Sequence, residues 1–229
     1  MNSPLAVEPL FRIGPLGITE PVVVSWAVMT VLGALSAAAT RRLRLIPNTR
    51  TQAALELLVS TIDSQIGDTM QRDPAPFRAL IGTIFLFVLV SNWSSLVPGV
   101  EPPTAHIETD AAMALIVFIA TIVWGVRVRG VGGYLATFAE PSWVMVPLNI
   151  IEQFTRTFSL IVRLFGNVMS GVFIIGIILT LAGFLVPVPL MALDLLTGAV
   201  QAYIFAVLAT VFIASAVGER KNPLTPPES

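Results

Sequence analysis

The sequence predicts an all-α integral membrane protein of five transmembrane helices plus one amphipathic helix, in one membrane domain over residues 1–229. Three observations predict it. The chain is 55% hydrophobic and only 12% charged, with a mean hydropathy of +0.84, whereas soluble domains are about a quarter charged. Apolar stretches that read as membrane spans recur five times, one of them about twice as long as a hydrocarbon core of about 30 Å demands. Polar residues inside those stretches recur at steps of three and four, the period of a helix and not of a strand.

Composition also excludes. A net charge of −1 rules out a basic nucleic-acid binder, and zero cysteines rule out disulfides, thiol catalysis and thiolate metal sites. With one histidine, His106, no multi-histidine metal centre is expected, and no cofactor is. The start "MNSPLAVEPLFRIGPLGITEP" lacks the basic beginning and small-residue cleavage site of a signal peptide, so it reads as mature sequence.

The elements follow in order. Residues 21–40 form the first span, which stops at "RRLRLIP". In residues 51–70, Ala54, Leu57, Leu58, Ile62 and Ile66 recur at helical spacing opposite Glu56, Asp63 and Asp68. That pattern suits an amphipathic interfacial helix, lying on the membrane surface or against the other helices; a partner-binding surface is the alternative. Residues 77–97 form the second span and end at "LVPG"; residues 111–126 form the third and stop at "RVRG". Residues 143–185 are one long apolar stretch, and residues 190–217 are the last span, followed by the polar tail "GERKNPLTPPES". Trp26, Trp93, Trp124 and Trp143 fall near span ends and read as interfacial anchors.

Loop charges set the orientation. Arg41, Arg42, Arg44, Arg50, Arg72 and Arg78 separate spans one and two, Arg127, Arg129 and Arg156 follow span three, and Arg220 and Lys221 follow the last. Eleven of 13 basic residues therefore share one side, which is the cytoplasmic side by the positive-inside rule. The loop "EPPTAHIETD" is acidic and faces out, with the N-terminus outside and the C-terminus inside.

The long segment is the anomaly. As a helix of some 40 residues it measures about 60 Å, twice the thickness of the core. It is expected to be tilted, against a partner that hides its polar groups. Those groups form a stripe: Glu152, Arg156, Ser159, Arg163 and Asn167 fall within about 80° of the helix circumference. Asp194, Thr197 and Gln201 make a shorter stripe on the last helix. A hairpin turning near Gly183 brings Arg163 and Gln201 close, with Asp194 toward the outer face and position 172 level with it.

A charge at this depth costs from about 3 to more than 10 kcal/mol. Arg163 and Asp194 as a buried ion pair is one reading. The other is an ion path, in which arginine serves because it keeps its proton where lysine or histidine could lose theirs. Such a cation attracts a carboxylate, helps it release its ion and blocks a free cation; it acts as a gate.

At these residues the chain resembles a known family. "PLNIIEQFTRTFSLIVRLFGN" and "GAVQAYIFAVLATVFIA" resemble the two signature helices of subunit a of F-type ATP synthases, of the bacterial and chloroplast type. "IGPLGIT", "FRALIGTIFLFVLVSNWSSLVPG" and "PTAHIETDAAMAL" extend the resemblance, in order, over essentially the whole chain. "RLFGN" with "QAYIF" at this separation is specific; "RLFGN" alone is weak.

The resemblance implies that the last two helices form a tilted hairpin against a rotor ring of c subunits. It implies two offset half-channels, through which an ion loads a ring carboxylate from outside and leaves to the cytoplasm. Arg163 matches the essential arginine between them, Asn167 and Gln201 match polar residues on the path, and Glu152 matches a glutamate on the cytoplasmic side. It further implies b-type peripheral stalk partners within the whole ATP synthase, a bacterial plasma membrane, and no catalysis by this chain alone.

Departures point to the inlet. The chloroplast-type pattern has a glutamate where this chain has Val172, and glycine where it has Asp194. The outer loop usually carries Asp, Asn and Thr where this chain has His106, Glu108 and Asp110. These three, with Asn92, are the expected outer inlet, and Asp194 is expected to take the role of the missing glutamate. For Asn92 a helix–helix hydrogen bond is the alternative. Gly166, Ser170, Gly171, Gly198 and Ala202 are expected to permit close helix packing.

Two further classes compete. A secondary ion transporter with a buried Arg/Asp pair is the alternative function, although five unequal spans show no inverted repeat. An intramembrane hydrolase would need a base near Ser170, and His106 lies in the outer loop.

Overall fold

A computed structural model describes residues 9–13, 16–41, 50–97, 100–139, 143–183 and 186–218. Among the described residues the regular structure is helical apart from a two-stranded antiparallel ribbon, β1 (Pro9–Ile13) and β2 (Leu16–Thr19). Sequence reading gave no element there. The Gly–Pro pair at positions 14–15 was the available signal, since that dipeptide between two apolar runs marks a turn.

Helix α1 (Glu20–Thr40) begins where Pro21 fits the first turn, and it packs mainly on α3. Helix α2 (Arg50–Met70) turns Ile66 and Met70 onto Phe77 and Ile81 of α3 (Ala75–Trp93) and onto Ile213 and Val217 of α6 (Val188–Val217). Asp63 of α2 pairs with Arg78, and the Tyr203 hydroxyl donates to Gln65 Oε1 at 2.7 Å. The amphipathic helix thus lies against the bundle, with Leu57 and Val59 exposed.

Helix α3 runs on into a 3₁₀ turn, Ser94–Leu96. Helix α4 (Ile107–Ala139) is far longer than the expected span of residues 111–126. It begins earlier because Glu108 and Asp110 suit the positive end of a helix dipole. It ends later because "RVRG" ends the apolar span without ending the helix: arginine is a good helix former. A break at Gly130 (φ 75°, ψ 164°) redirects its last residues.

Helix α5 (Met145–Ala182) has 38 residues and is about 57 Å long. The chain turns at Gly183, whose φ of 75° favours glycine, and returns as α6. Five helices, α1 and α3 to α6, are long and apolar enough to cross a membrane.

The core lies between α3, α4, α5 and α6, where Val88, Val117, Leu164, Ala202, Phe205 and Ala209 interlock. Alanines at 202, 206 and 209 let neighbouring helices approach α6 closely, so α6 sits at the centre. Helix α5 lies at the periphery, and its outward face is left open.

Candidate functional site

The stripe on α5 faces that open side. Arg163 is exposed and makes no hydrogen bond or ion pair with any described residue. It borders a groove of ≈ 500 Å³ with Ser159, Leu208 and Phe212. Glu152 pairs with Arg156 one turn away, and an Arg156 Nη1–H reaches Ser215 Oγ at 3.4 Å. Asn167 is half-buried, and Ser170 donates back to its carbonyl at 2.8 Å.

Two contacts fix the hairpin register. The Asp194 carboxylate lies over Gly171, where a Cβ would collide with it, and Arg156 meets Ser215. Interpolating between them puts Arg163 level with about position 205, roughly one turn beyond Gln201. Gln201 is buried, 6% exposed, and its amide nitrogen has no partner. No hydrogen bond joins it to Arg163, because α5 and α6 slip in register along their length. No ion pair joins Arg163 to Asp194 either, so the ion-pair reading of the stripe fails.

Asp194 sits at the other end of the hairpin. Ser95 Oγ donates to its Oδ2 at 3.4 Å, and the residue lines a cavity of ≈ 460 Å³ with Glu20, Glu101 and Val172. Gly171 supplies the space: a side chain there would expel the carboxylate. Position 172, expected to be level with Asp194, lines the same cavity.

The acidic loop is divided by the fold. Asn92 is buried and bonded through both amide atoms: its Nδ2 donates to Gly198 O at 2.9 Å, and its Oδ1 accepts from Thr104 Oγ1 at 2.7 Å. That is the helix–helix bond weighed for it. Trp93 adds a bond from Nε1 to Leu195 O at 3.2 Å. His106 Nε2 lies 3.3 Å from Glu101, without hydrogen-bond alignment. Both border a cavity of ≈ 650 Å³ with Glu108, on the side of α5 away from Arg163. Asp110, expected in the outer loop, is instead in the first turn of α4 with no exposure, and its carboxylate has no hydrogen-bond partner among the described residues.

Sequence reading missed Glu20, Ser95 and Thr104 here, and Tyr134, Asn149 and Ser215 around Glu152, which share a cavity of ≈ 300 Å³. Asn149 lies three residues before Glu152 and continues the period of the stripe, so that signal was available; the others are remote in sequence from the stripe, and its periodicity did not mark them. Among the described residues no cluster of His, Asp or Glu could hold a metal ion.

The arrangement can do one thing chemically. It presents an unpaired guanidinium on an apolar face, between a carboxylate-lined cavity at one end of the hairpin and a Glu–Arg-lined one at the other.

Comparison with known proteins gives a family model described as "ATP synthase A chain", which matches residues 22–214. Similar proteins include ATP synthase subunit a 2 of Bradyrhizobium sp., 56% identical over 217 residues, 95% of this chain and 97% of that one. The chain is 44% identical to ATP synthase subunit a of Albidiferax ferrireducens over 216 residues, 94% of each chain. It is 45% identical to ATP synthase subunit a 1 of Chlorobaculum parvum over 214 residues, 93% of this chain and 95% of that one.

Proposed function

The chain belongs to the ATP synthase A chain family, and on that premise we propose that it is the ion-translocating stator subunit, with Arg163 separating two offset half-channels. It is a multi-pass membrane subunit of the F-type ATP synthase and is not itself catalytic. The observation that carries the finer reading is Arg163, a charge on the open face of α5 without a partner among the described residues.

An unpaired guanidinium in hydrocarbon is far too costly to stand alone. A curved ring of c subunits, each presenting a carboxylate, supplies both the cover and the countercharge. A carboxylate passing Arg163 is held ionised while it does so, and therefore gives up its ion. The fixed cation also repels a free ion that would short-circuit the two half-channels.

The outer half-channel reaches the ring through the cavity of Asp194, Glu20 and Glu101, with His106, Glu108 and Asp110 beside it. Gln201 and Asn167 line the approach to the ring, and Asn92 holds its wall. The inner half-channel leaves past Ser159, Arg156 and Glu152. The basic ends of the spans face the cytoplasm of a bacterial cell and the acidic loop faces out. Stalk subunits of b type hold the chain still against the ring.

The test is substitution of Arg163 in the assembled complex. Arg163→Ala abolishes coupled ATP synthesis and ATP-driven pumping while assembly persists. Arg163→Lys fails or nearly fails, because an ammonium lacks the planar fork and loses its proton more readily when buried. Wild-type pumping by an assembled Arg163→Ala complex would end this reading.

A further inference from the structure

Helix α6 ends at Val217 without a basic residue in its last turn. Its last carbonyls have no partners within the helix, and the negative end of its dipole is uncompensated by its own sequence. Two arginines from elsewhere meet that end. Arg129 of α4 donates from Nε to Val217 O at 3.1 Å and from Nη1 to Thr137 Oγ1 at 3.1 Å. Arg72, in the link between α2 and α3, donates from Nη2 to Gly218 O at 3.1 Å. Gly218 has φ 72°, and a Cβ there would strike the Arg129 guanidinium, so the approach is close.

These bonds do more than cap a helix. Thr137 lies beyond the break at Gly130, in the part of α4 that lines one chamber with residues of α5 and α6. The Asn149 side chain pins the same part, donating to Phe138 O at 2.8 Å. Thr137, Ser215 and Glu152 all line the ≈ 300 Å³ chamber. Arg129 therefore ties together two walls of that chamber, the redirected end of α4 and the end of α6.

We propose that Arg129, backed by Arg72, is a positioning residue that clamps the end of α6 and sets the width of the cytoplasmic exit chamber. The inference rests on the assignment of Glu152 to that exit. The chamber's ionisable lining is Glu152 and Arg156 from α5 and Tyr134 from α4, while α6 contributes Ser215 and Ala216. Lysine can make one of the two Arg129 bonds and cannot span both, because its donors share one nitrogen whereas the guanidinium presents a fork.

The experiment uses the assembled synthase in vesicles and compares Arg129→Ala, Arg129→Lys and Arg127→Ala. Arg127 is the control: it is at the same end of α4 and lies over Trp124. Two quantities are read, amide hydrogen exchange at the end of α6 and ion flux against cytoplasmic-side pH at fixed outer pH. Arg129→Ala is expected to speed exchange by about tenfold or more, since the end opens locally. It is also expected to lower flux and change its cytoplasmic-side pH profile, leaving the outer-side profile alone. Arg129→Lys falls between, and Arg127→Ala changes neither.

Unchanged exchange in Arg129→Ala overturns the clamp. Faster exchange with unchanged flux overturns the positioning role, as does an altered outer-side profile. If Arg129→Ala fails to assemble, Thr137→Val removes one of the bonds and carries the same test. Glu152→Gln is measured alongside: if it leaves flux unchanged while Arg129→Ala slows it, the Glu152 assignment fails and the clamp stands.

Discussion

At the scale of single residues, the site depends on what each side chain is denied. Arg163 has no partner among the described residues, and on the proposed reading its countercharge comes from the ring. Asp194 has Ser95 and an open cavity, and Val172 in the same cavity cannot hold a proton. Asp194→Asn is therefore expected to cut proton-driven synthesis severely, by about tenfold or more if the group acts as a proton-transfer residue. Adding Val172→Glu should restore part of it, because the new carboxylate enters the same cavity. Synthesis rates at one imposed driving force decide this: full activity in Asp194→Asn rules out the inlet role, and a failed rescue rules out the shared cavity. Glu152 pairs with Arg156 and is otherwise half exposed. Glu152→Gln should slow flux at saturating driving force while the ratio of ions moved to ATP turned over stays constant. An unchanged rate would leave Glu152 as a solvated partner of Arg156.

At the scale of elements, α6 is held at both ends by other parts of the chain. Asn92 and Trp93 bond to carbonyls in its first half, and Arg129 and Arg72 bond to its last carbonyls. Gly198 is a close joint, since an added Cβ would stand 3.0 Å from Asn92 Cβ. Alanine is intrinsically better than glycine in a helix by about 1 kcal/mol. Here the clash should win, because Asn92 is fixed by two hydrogen bonds and cannot retreat. Gly198→Ala is expected to destabilise by about 1–3 kcal/mol, the usual range for overpacking. A denaturant titration of the purified complex measures it, and a gain in stability would show that Asn92 can move.

At the scale of the whole molecule, α5 is the element that the fold does not finish. Only 11% of its apolar window is buried inside the chain, against 44% for α6; α1 is covered still less, at 6%, but carries no charge in mid-span, so lipid alone can finish it. Lipid could cover its apolar residues but not Arg163, so the missing layer must carry charge as well as apolar surface. The chain alone is accordingly expected to conduct no ions in vesicles, and to co-purify with a ring of c subunits when both are made together. Ion conduction by the purified chain would favour the transporter reading instead.

The sequence by itself determined the class of protein, the number of spans and the helix face on which Arg163 lies. Each of these follows from local quantities, namely apolar length, helical period and loop charge. It also showed a long helix with a polar stripe, and from that a need for a partner. Only the tertiary structure decided that α2 lies against α3 and α6, that Asp110 is buried and that Asn92 is a fastening. The slip in register between Gly171–Asp194 and Arg156–Ser215 was likewise beyond the sequence. A count of residues from the turn assumes two helices that run straight and level. Their actual course is set by alanines, glycines and arginine clamps on neighbouring helices, and no local pattern in either helix encodes those.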